Sequence, residues 1–303
     1  MTIPNFLLIG AAKSGTSSLY YYLKQHHQIY MPASRDQKEP DFFTLEGESK
    51  ERIGPQGTFV MKNAITDLES YQELFSGVTD EIAIGEASTS YIYSEKAPQR
   101  IHNYIPDAKI IAILRDPAER AFSHFLFSLS NGREPLADFK KTLEQEDWRI
   151  ENNWSFQWHH KHRGFYYLQL KRYFNLFPPN QIKVCLYEDL RRDPIGLTQD
   201  IFKFLGVDDA FVLSVAKIHN PTKVPKNQTL NTLLNRPNPI KDSLKLFMPI
   251  GIRKKIAGVL KKKNLGKPKL SPKIRKKLIA EYREDILKLQ DLIGTDLSKW
   301  LEV

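Results

Sequence analysis

Residues 5–23, NFLLIGAAKSGTSSLYYYL, narrow the possible folds most: an apolar run, a glycine-bounded turn and a helical pattern follow one another without a gap. NFLLIG reads as a strand and SSLYYYLKQHH as a helix, so the turn belongs to a strand–loop–helix unit. Such a unit points loop N–H groups and the positive end of a helix dipole at an anion. A Walker A loop runs G-x-x-x-x-G-K-[ST], its lysine reaching the β and γ phosphates and its hydroxyl holding magnesium. Gly10 and Gly15 keep the glycine spacing, but Thr16 takes the lysine place and Ser17 the hydroxyl place; the lysine is Lys13, inside the loop. The phosphate cradle survives while the nucleoside triphosphate reading weakens. A glycine turn with a surface lysine is the plainer alternative.

Three further apolar runs, EIAIGEAS (81–88), KIIAILRD (109–116) and QIKVCLYEDL (181–190), have the length and continuity of strands buried on both faces of a parallel sheet. AERAFSHFLFSL, YYLQLKRYFNLF and PIGLTQDIFKFLG alternate with them as helical patterns. The alternation predicts an α/β fold, three layers around a mainly parallel central sheet, P-loop NTPase-like, with a helical C-terminal part. At 303 residues the chain reads as a single domain over 1–303, in which 240–303 is a basic helical extension packed on the rest. SPKIRKKLIAEYREDILKLQDLI (271–293) is the clearest helix there, with serine and proline at its start.

The net charge of +10 is concentrated: residues 253–277 hold 12 Lys or Arg and no acid, against 30 basic and 29 acidic residues in 1–252. That block is either the solvated face of helices or a contact for an anionic polymer or membrane surface. The single cysteine, Cys185, excludes a disulfide framework. MTIPNFLLIG has no basic n-region and too short an apolar run for a signal peptide, which reads as a cytoplasmic chain.

KIIAILRD ends in Arg115 ahead of Asp116, where a Walker B strand would offer a bare carboxylate. Arg115 and Ser123 are eight residues apart in RDPAERAFS, one at a strand end and one about two turns into the next helix. Both positions suit one phosphate. With the glycine loop they describe a nucleotide with two separated anionic ends; taken alone, Arg115 reads equally well as a helix-cap partner.

KSGTSSL followed about 100 residues later by LRDPAERAFSHF resembles the sulfotransferases that use 3′-phosphoadenosine 5′-phosphosulfate (PAPS), and the chain is most similar to their glycan, heparan sulfate-type and bacterial branch. The resemblance implies that Lys13, Ser14, Gly15, Thr16 and Ser17 hold the 5′-phosphosulfate, that Arg115 and Ser123 hold the 3′-phosphate, and that Lys13 stabilises the departing phosphate. HNPTKVPKN lies where the family has a loop closing over the nucleotide, so Lys223 and Lys226 are expected phosphate contacts. RGFYYLQLKRYFNLFPPNQIKVCLYEDLRRDP and LIGTDLSKW extend the likeness over most of the chain.

Attack on sulfur needs a base beside the acceptor. KEPDFF looks like the KExxFF segment of the glycan branch, which makes Glu39 the general base by resemblance. His124, His159, His160 and His162 are the competing candidates, because small-molecule members use a histidine. Asp41 stands where some glycan-branch members have histidine, and Ala87 where they have a lysine for the acidic sugar; both depart from a heparan-type acceptor site. Trp154, Phe156 and Trp158 alternate with polar residues in NNWSFQWHHKHRG, the pattern of a sugar- or aryl-binding surface or of a half-buried strand. Lys38, Trp158 and His160 are the candidate acceptor contacts.

The expected activity is transfer of a sulfuryl group from PAPS to a hydroxyl of a carbohydrate or glycolipid, with no metal required and no nucleic acid partner. The alternatives are a P-loop kinase acting on a small molecule, and a polyanion- or membrane-binding protein with an inert nucleotide fold.

Overall fold

In the computed structural model, which describes residues 2–32, 39–215, 224–225, 265–266 and 268–303, the predicted strands and helices form in the predicted order. Strand β1 (Phe6–Gly10) leads into α1 (Thr16–Leu23), followed by β2 (Ile29–Tyr30), α2 (Phe42–Leu45), the hairpin strands β3 (Glu51–Gly54) and β4 (Gly57–Val60), and α3 (Leu68–Glu73). Then come β5 (Ala83–Ala87), α4 (Ala97–Tyr104), β6 (Lys109–Leu114), α5 (Pro117–Ser130), α6 (Phe139–Glu144), α7 (Glu146–Glu151) and α8 (Tyr166–Phe174). Strand β7 (Ile182–Leu186), α9 (Tyr187–Arg192) and α10 (Pro194–Leu205) precede a two-residue pairing of β8 (Val224–Pro225) with β9 (Leu265–Gly266) and the long α11 (Pro272–Ile293).

The central sheet has the order β2-β5-β1-β6-β7, and all four pairings are parallel. Strand alternation divides its side chains between two cores. Leu7 and Ile9 of β1 with Ile110, Ala112 and Leu114 of β6 pack on one face under α4, α5, α8 and α11. Phe6 and Leu8 with Ile111 and Ile113 pack on the other under α1 and α10. These are the three expected layers, and the continuous apolar runs are strands covered on both sides. Close packing leaves no room for a side chain at Gly85, where a Cβ would stand 2.2 Å from Phe6 Cζ.

Helix starts follow their caps. Asp116 accepts from the N–H groups of Ala118 and Glu119 at 2.9 and 3.0 Å, with Pro117 at the first helical position of α5. The other Asp116 oxygen meets Arg275 Nη2 at 2.7 Å, which ties the first turn of α11 to the cap of α5. Arg275, inside the basic block, is thus a structural cation. Leu278, Ile279, Tyr282, Ile286 and Leu289 of α11 are buried in the same core as β1 and β6.

Among the features not read from the sequence are the β3–β4 hairpin and the form of NNWSFQWHHKHRG, which is not a strand but two 3-10 turns, Phe156–Trp158 and His162–Gly164. The predicted contacts Lys38, Lys223 and Lys226, and most of the basic block 253–277, lie outside the described residues. Among the described residues no helix is long and apolar enough to cross a membrane.

Candidate active site

The C-terminal ends of the three adjacent strands β5, β1 and β6 open onto one place, where ligands of parallel sheets characteristically sit. From β1 comes the loop 11–15. Gly15, at φ 98°, precedes α1 with no side-chain cap on the helix start, so the first-turn N–H groups face the loop. A Cβ on Gly15 would stand 2.9 Å from Leu190 Cδ2 and 3.0 Å from Tyr187 Cδ2, so the glycine also lets α9 press against the loop. The Ser14 hydroxyl is fully buried beside that of Tyr166 and makes no well-formed hydrogen bond. Thr16 is buried and Ser17 exposed.

From β6 comes Arg115. Its Nη1 reaches the Lys13 carbonyl at 3.4 Å, its Nη2 lies 3.5 Å from Glu119, and its guanidinium stacks 4.9 Å from the Tyr187 ring. Lys13 Nζ lies 4.0 Å above the centre of the Phe127 ring. Glu119, Ser123 and Phe127 succeed one another at four-residue intervals, which aligns them along one face of α5. Half-buried Ser123 therefore sits between the residue that meets Arg115 and the residue beneath Lys13. Tertiary structure joins the glycine loop and the RDPAERAFS segment into one cationic group. Asp116, capping α5 and paired with Arg275, is committed to structure.

From β5 comes a run of small hydroxyl residues, Ser88, Thr89 and Ser90, which the sequence reading passed over. Thr89 Oγ1 donates to Glu39 Oε2 at 2.8 Å, and the Glu39 N–H donates to the Ala87 carbonyl at 3.0 Å. Ser90 Oγ donates to Asp41 Oδ1, and the Asp41 N–H donates to Ser88 Oγ at 3.0 Å. Ser88 Oγ and the Tyr71 hydroxyl in turn donate to Glu86 at 3.0 and 3.2 Å. Burial pushes the Asp41 carboxyl up to about 7, with the Glu39 charge adding to the effect, and pushes Glu86 up to about 8. Glu39 is half-buried, whereas Asp41 and Glu86 are enclosed. Glu39 is the member of this carboxyl group that a ligand can reach.

Arg163 completes the group and was likewise missed, hidden in a stretch read for its aromatics and histidines. It is buried, donates from Nη2 to the Thr89 carbonyl at 2.9 Å, and faces Glu39 and Asp41. Burial draws it down to about 10, still well above neutrality. The rings of Phe156 and Tyr93 flank its guanidinium at 5.3 and 5.8 Å.

The raised carboxyls make a stability prediction. Between their unfolded values near 4 and their folded values of about 7 and 8, the folded state binds more protons than the unfolded one. This contribution is absent below about pH 4 and erodes stability as pH rises to about 8. Glu86→Gln, which keeps the shape and removes the titration, should flatten the fall in melting temperature between pH 6 and pH 8.5. A wild-type-like slope in that variant would refute the assignment.

The histidines are held elsewhere. His160 is fully buried, with Nε2 3.0 Å from Glu134 and Nδ1 3.1 Å from His124 Nδ1. It cannot face an acceptor, which corrects the expected contact. His124 is buried and held well below its ordinary pKa by that burial; His159, drawn down to about 4 by burial, sits between the Tyr93 hydroxyl and the Trp154 carbonyl. His162 lies 3.1 Å from Glu146. Trp158 is also corrected: its indole N–H donates to the Arg133 carbonyl at 3.1 Å and its ring packs against Gly54 and Phe59. A buried indole with its N–H satisfied is a packing residue.

A model of the sulfotransferase family matches residues 4–210. The chain belongs to the sulfotransferase family. The kinase and inert-binder alternatives fall with that match. This sulfotransferase is 29% identical over 229 residues, 73% of the chain, to the mouse bifunctional heparan sulfate N-deacetylase/N-sulfotransferase 4, and 30% identical over 213 residues, 68% of the chain, to the human enzyme 3 of that name. It spans only about a quarter of their length, 24% and 22%. A sulfotransferase from Alicyclobacillus acidocaldarius of known crystal structure is 32% identical, with a TM-score of 0.76 and full coverage of both chains. The P-loop-like fold of the sulfotransferases is therefore the fold of this enzyme.

Proposed function

We propose that this sulfotransferase uses PAPS as donor and a carbohydrate hydroxyl as acceptor. The observation that carries the donor half is the contact between Arg115 and the Lys13 carbonyl, which joins two cationic elements from adjacent strand ends. The uncapped start of α1 and the unsatisfied, buried Ser14 hydroxyl fit a phosphate in the loop. When bound, the donor supplies a sulfuryl group carried on a phosphate leaving group.

In this reading Glu39 takes the proton of the acceptor hydroxyl, held by the Thr89 hydrogen bond. Lys13 and the first-turn N–H groups of α1 stabilise negative charge on the departing phosphate oxygen, while Arg115 and Ser123 hold the 3′-phosphate. Catalysis is positioning plus preorganised charge. The relatives named for heparan sulfate support a glycan acceptor.

Thermal unfolding with 3′-phosphoadenosine 5′-phosphate tests the donor half. At 100 times its Kd a ligand of the folded state adds about 2.7 kcal/mol, which is on the order of 4 °C for a chain of this size. Arg115→Ala should lose most of that shift. A larger shift with ATP and magnesium, or an undiminished one in Arg115→Ala, would sink the assignment.

A further inference from the structure

A cavity of about 310 Å³ opens beside the Glu39 group, lined by Thr44, Leu45, Ser90, Tyr93, Ser94 and Phe156 and rimmed by charged side chains. Its inner wall is shared with the site. Ser90 Oγ donates to Asp41 and pairs with Thr44 Oγ1 at 2.8 Å. Tyr93 and Phe156 are the two rings that flank Arg163, and Arg163 holds the Thr89 carbonyl while the Thr89 hydroxyl holds Glu39. A molecule in the cavity is thus one residue layer from the proposed base.

The walls offer two kinds of contact: ring faces and an aliphatic side chain on one hand, hydroxyls with spare donor or acceptor capacity on the other. A sugar ring presents the matching pair, a face of C–H groups and an edge of hydroxyls. The volume is at the small end for ligand pockets, room for about one ring.

The rim cations already have carboxylate partners. Glu48 meets Lys96 at 2.8 Å, Arg100 at 3.0 Å and Arg52 at 3.6 Å. Glu95 meets Arg172 at 2.7 Å. An incoming carboxylate or sulfate would have to compete with Glu48 for the same cations, and inside it would meet the carboxyl of Asp41 behind Ser90. An uncharged ring displaces none of these pairs.

We infer that this cavity is the acceptor subsite and that it takes an uncharged, hydroxyl-bearing sugar ring rather than a uronate or an already sulfated one. The inference rests on the sulfuryl-transfer reading above and names its substrate class. Ser90, Thr44 and Ser94 bind the polar edge, Tyr93 and Phe156 the face, and Glu48 sets specificity by keeping Arg52, Lys96 and Arg100 from an anion.

The test measures initial rates with labelled PAPS on neutral methyl glycosides of hexoses and N-acetylhexosamines and on a uronate-containing tetrasaccharide, with saturation-transfer NMR of the same compounds in the presence of 3′-phosphoadenosine 5′-phosphate. Wild type should bind and sulfate a neutral glycoside in preference to the uronate compound. Ser94→Phe, which fills the cavity, should raise KM for the neutral glycoside while leaving the bisphosphate thermal shift unchanged. Glu48→Gln should move the preference toward the uronate compound by about tenfold, the equivalent of about 1.4 kcal/mol. Preference for the uronate compound in wild type, indifference to Ser94→Phe, or no neutral glycoside bound or used would overturn the inference. If the bisphosphate shift persists in those cases the donor reading stands; if the shift is absent the failure lies in that reading.

Discussion

Glu39→Gln is expected to lower kcat by about 10²–10⁴-fold, the usual contribution of a positioned general base. The substitution is nearly isosteric, and the glutamine carbonyl can still accept from Thr89 Oγ1, so the loop should keep its place. The thermal shift with 3′-phosphoadenosine 5′-phosphate should therefore match wild type, and KM should change less than kcat. Neither buried neighbour is placed to substitute, because Asp41 and Glu86 are enclosed, Asp41 accepting from Ser90 and Glu86 from Ser88 and Tyr71. The competing histidines are held by Glu134, Glu146, the Tyr93 hydroxyl and the Trp154 carbonyl. Near-wild-type kcat in Glu39→Gln, with a large loss in Asp41→Asn, would transfer the role to Asp41.

The second large effect is on stability. Glu134 is fully buried and takes both Arg149 guanidinium nitrogens, at 2.8 and 2.9 Å, together with His160 Nε2 at 3.0 Å. These partners outweigh the cost of burial and hold its carboxyl down to about 2. Glu134→Ala would leave the Arg149 charge buried without a counter-ion, which costs about 3–5 kcal/mol. A drop in melting temperature of about 5–8 °C follows for a chain of this length. Replacing Glu134 and Arg149 together by Leu and Met should recover part of it, since an apolar pair carries no desolvation penalty while His160 Nε2 loses its partner. A single variant as stable as wild type would show that the pair is not what anchors this segment.

The same cluster has a pH signature opposite to that of Asp41 and Glu86. Its stabilisation is present above the unfolded glutamate value of about 4.5 and is lost as pH falls through about 2. It also bears on function, because the turns it anchors carry Arg163 and Phe156 to the Glu39 group. Arg120 reinforces this by donating to the His160 carbonyl.

What the sequence determined by itself is local. Apolar runs of five or six residues became the strands β1, β5, β6 and β7, and helices began at Pro117, Pro194 and Pro272, because strand period and cap chemistry act within a few residues. The positions of Lys13, Gly15 and Arg115, just past the ends of β1 and β6, were legible for the same reason. The tertiary structure alone decided that β5 lies beside β1, which brings Thr89 to Glu39 and makes GEASTSYIY part of the site. It decided too that His160 and Trp158 turn inward while Arg163, a residue type that favours water, is buried against two rings. Whether a polar side chain faces solvent, a ligand or a buried partner depends on groups contributed from more than 100 residues away, as Arg115 and Lys13 are. Periodicity carries no record of those partners, and the balance of desolvation against hydrogen bonding exists only once they are assembled.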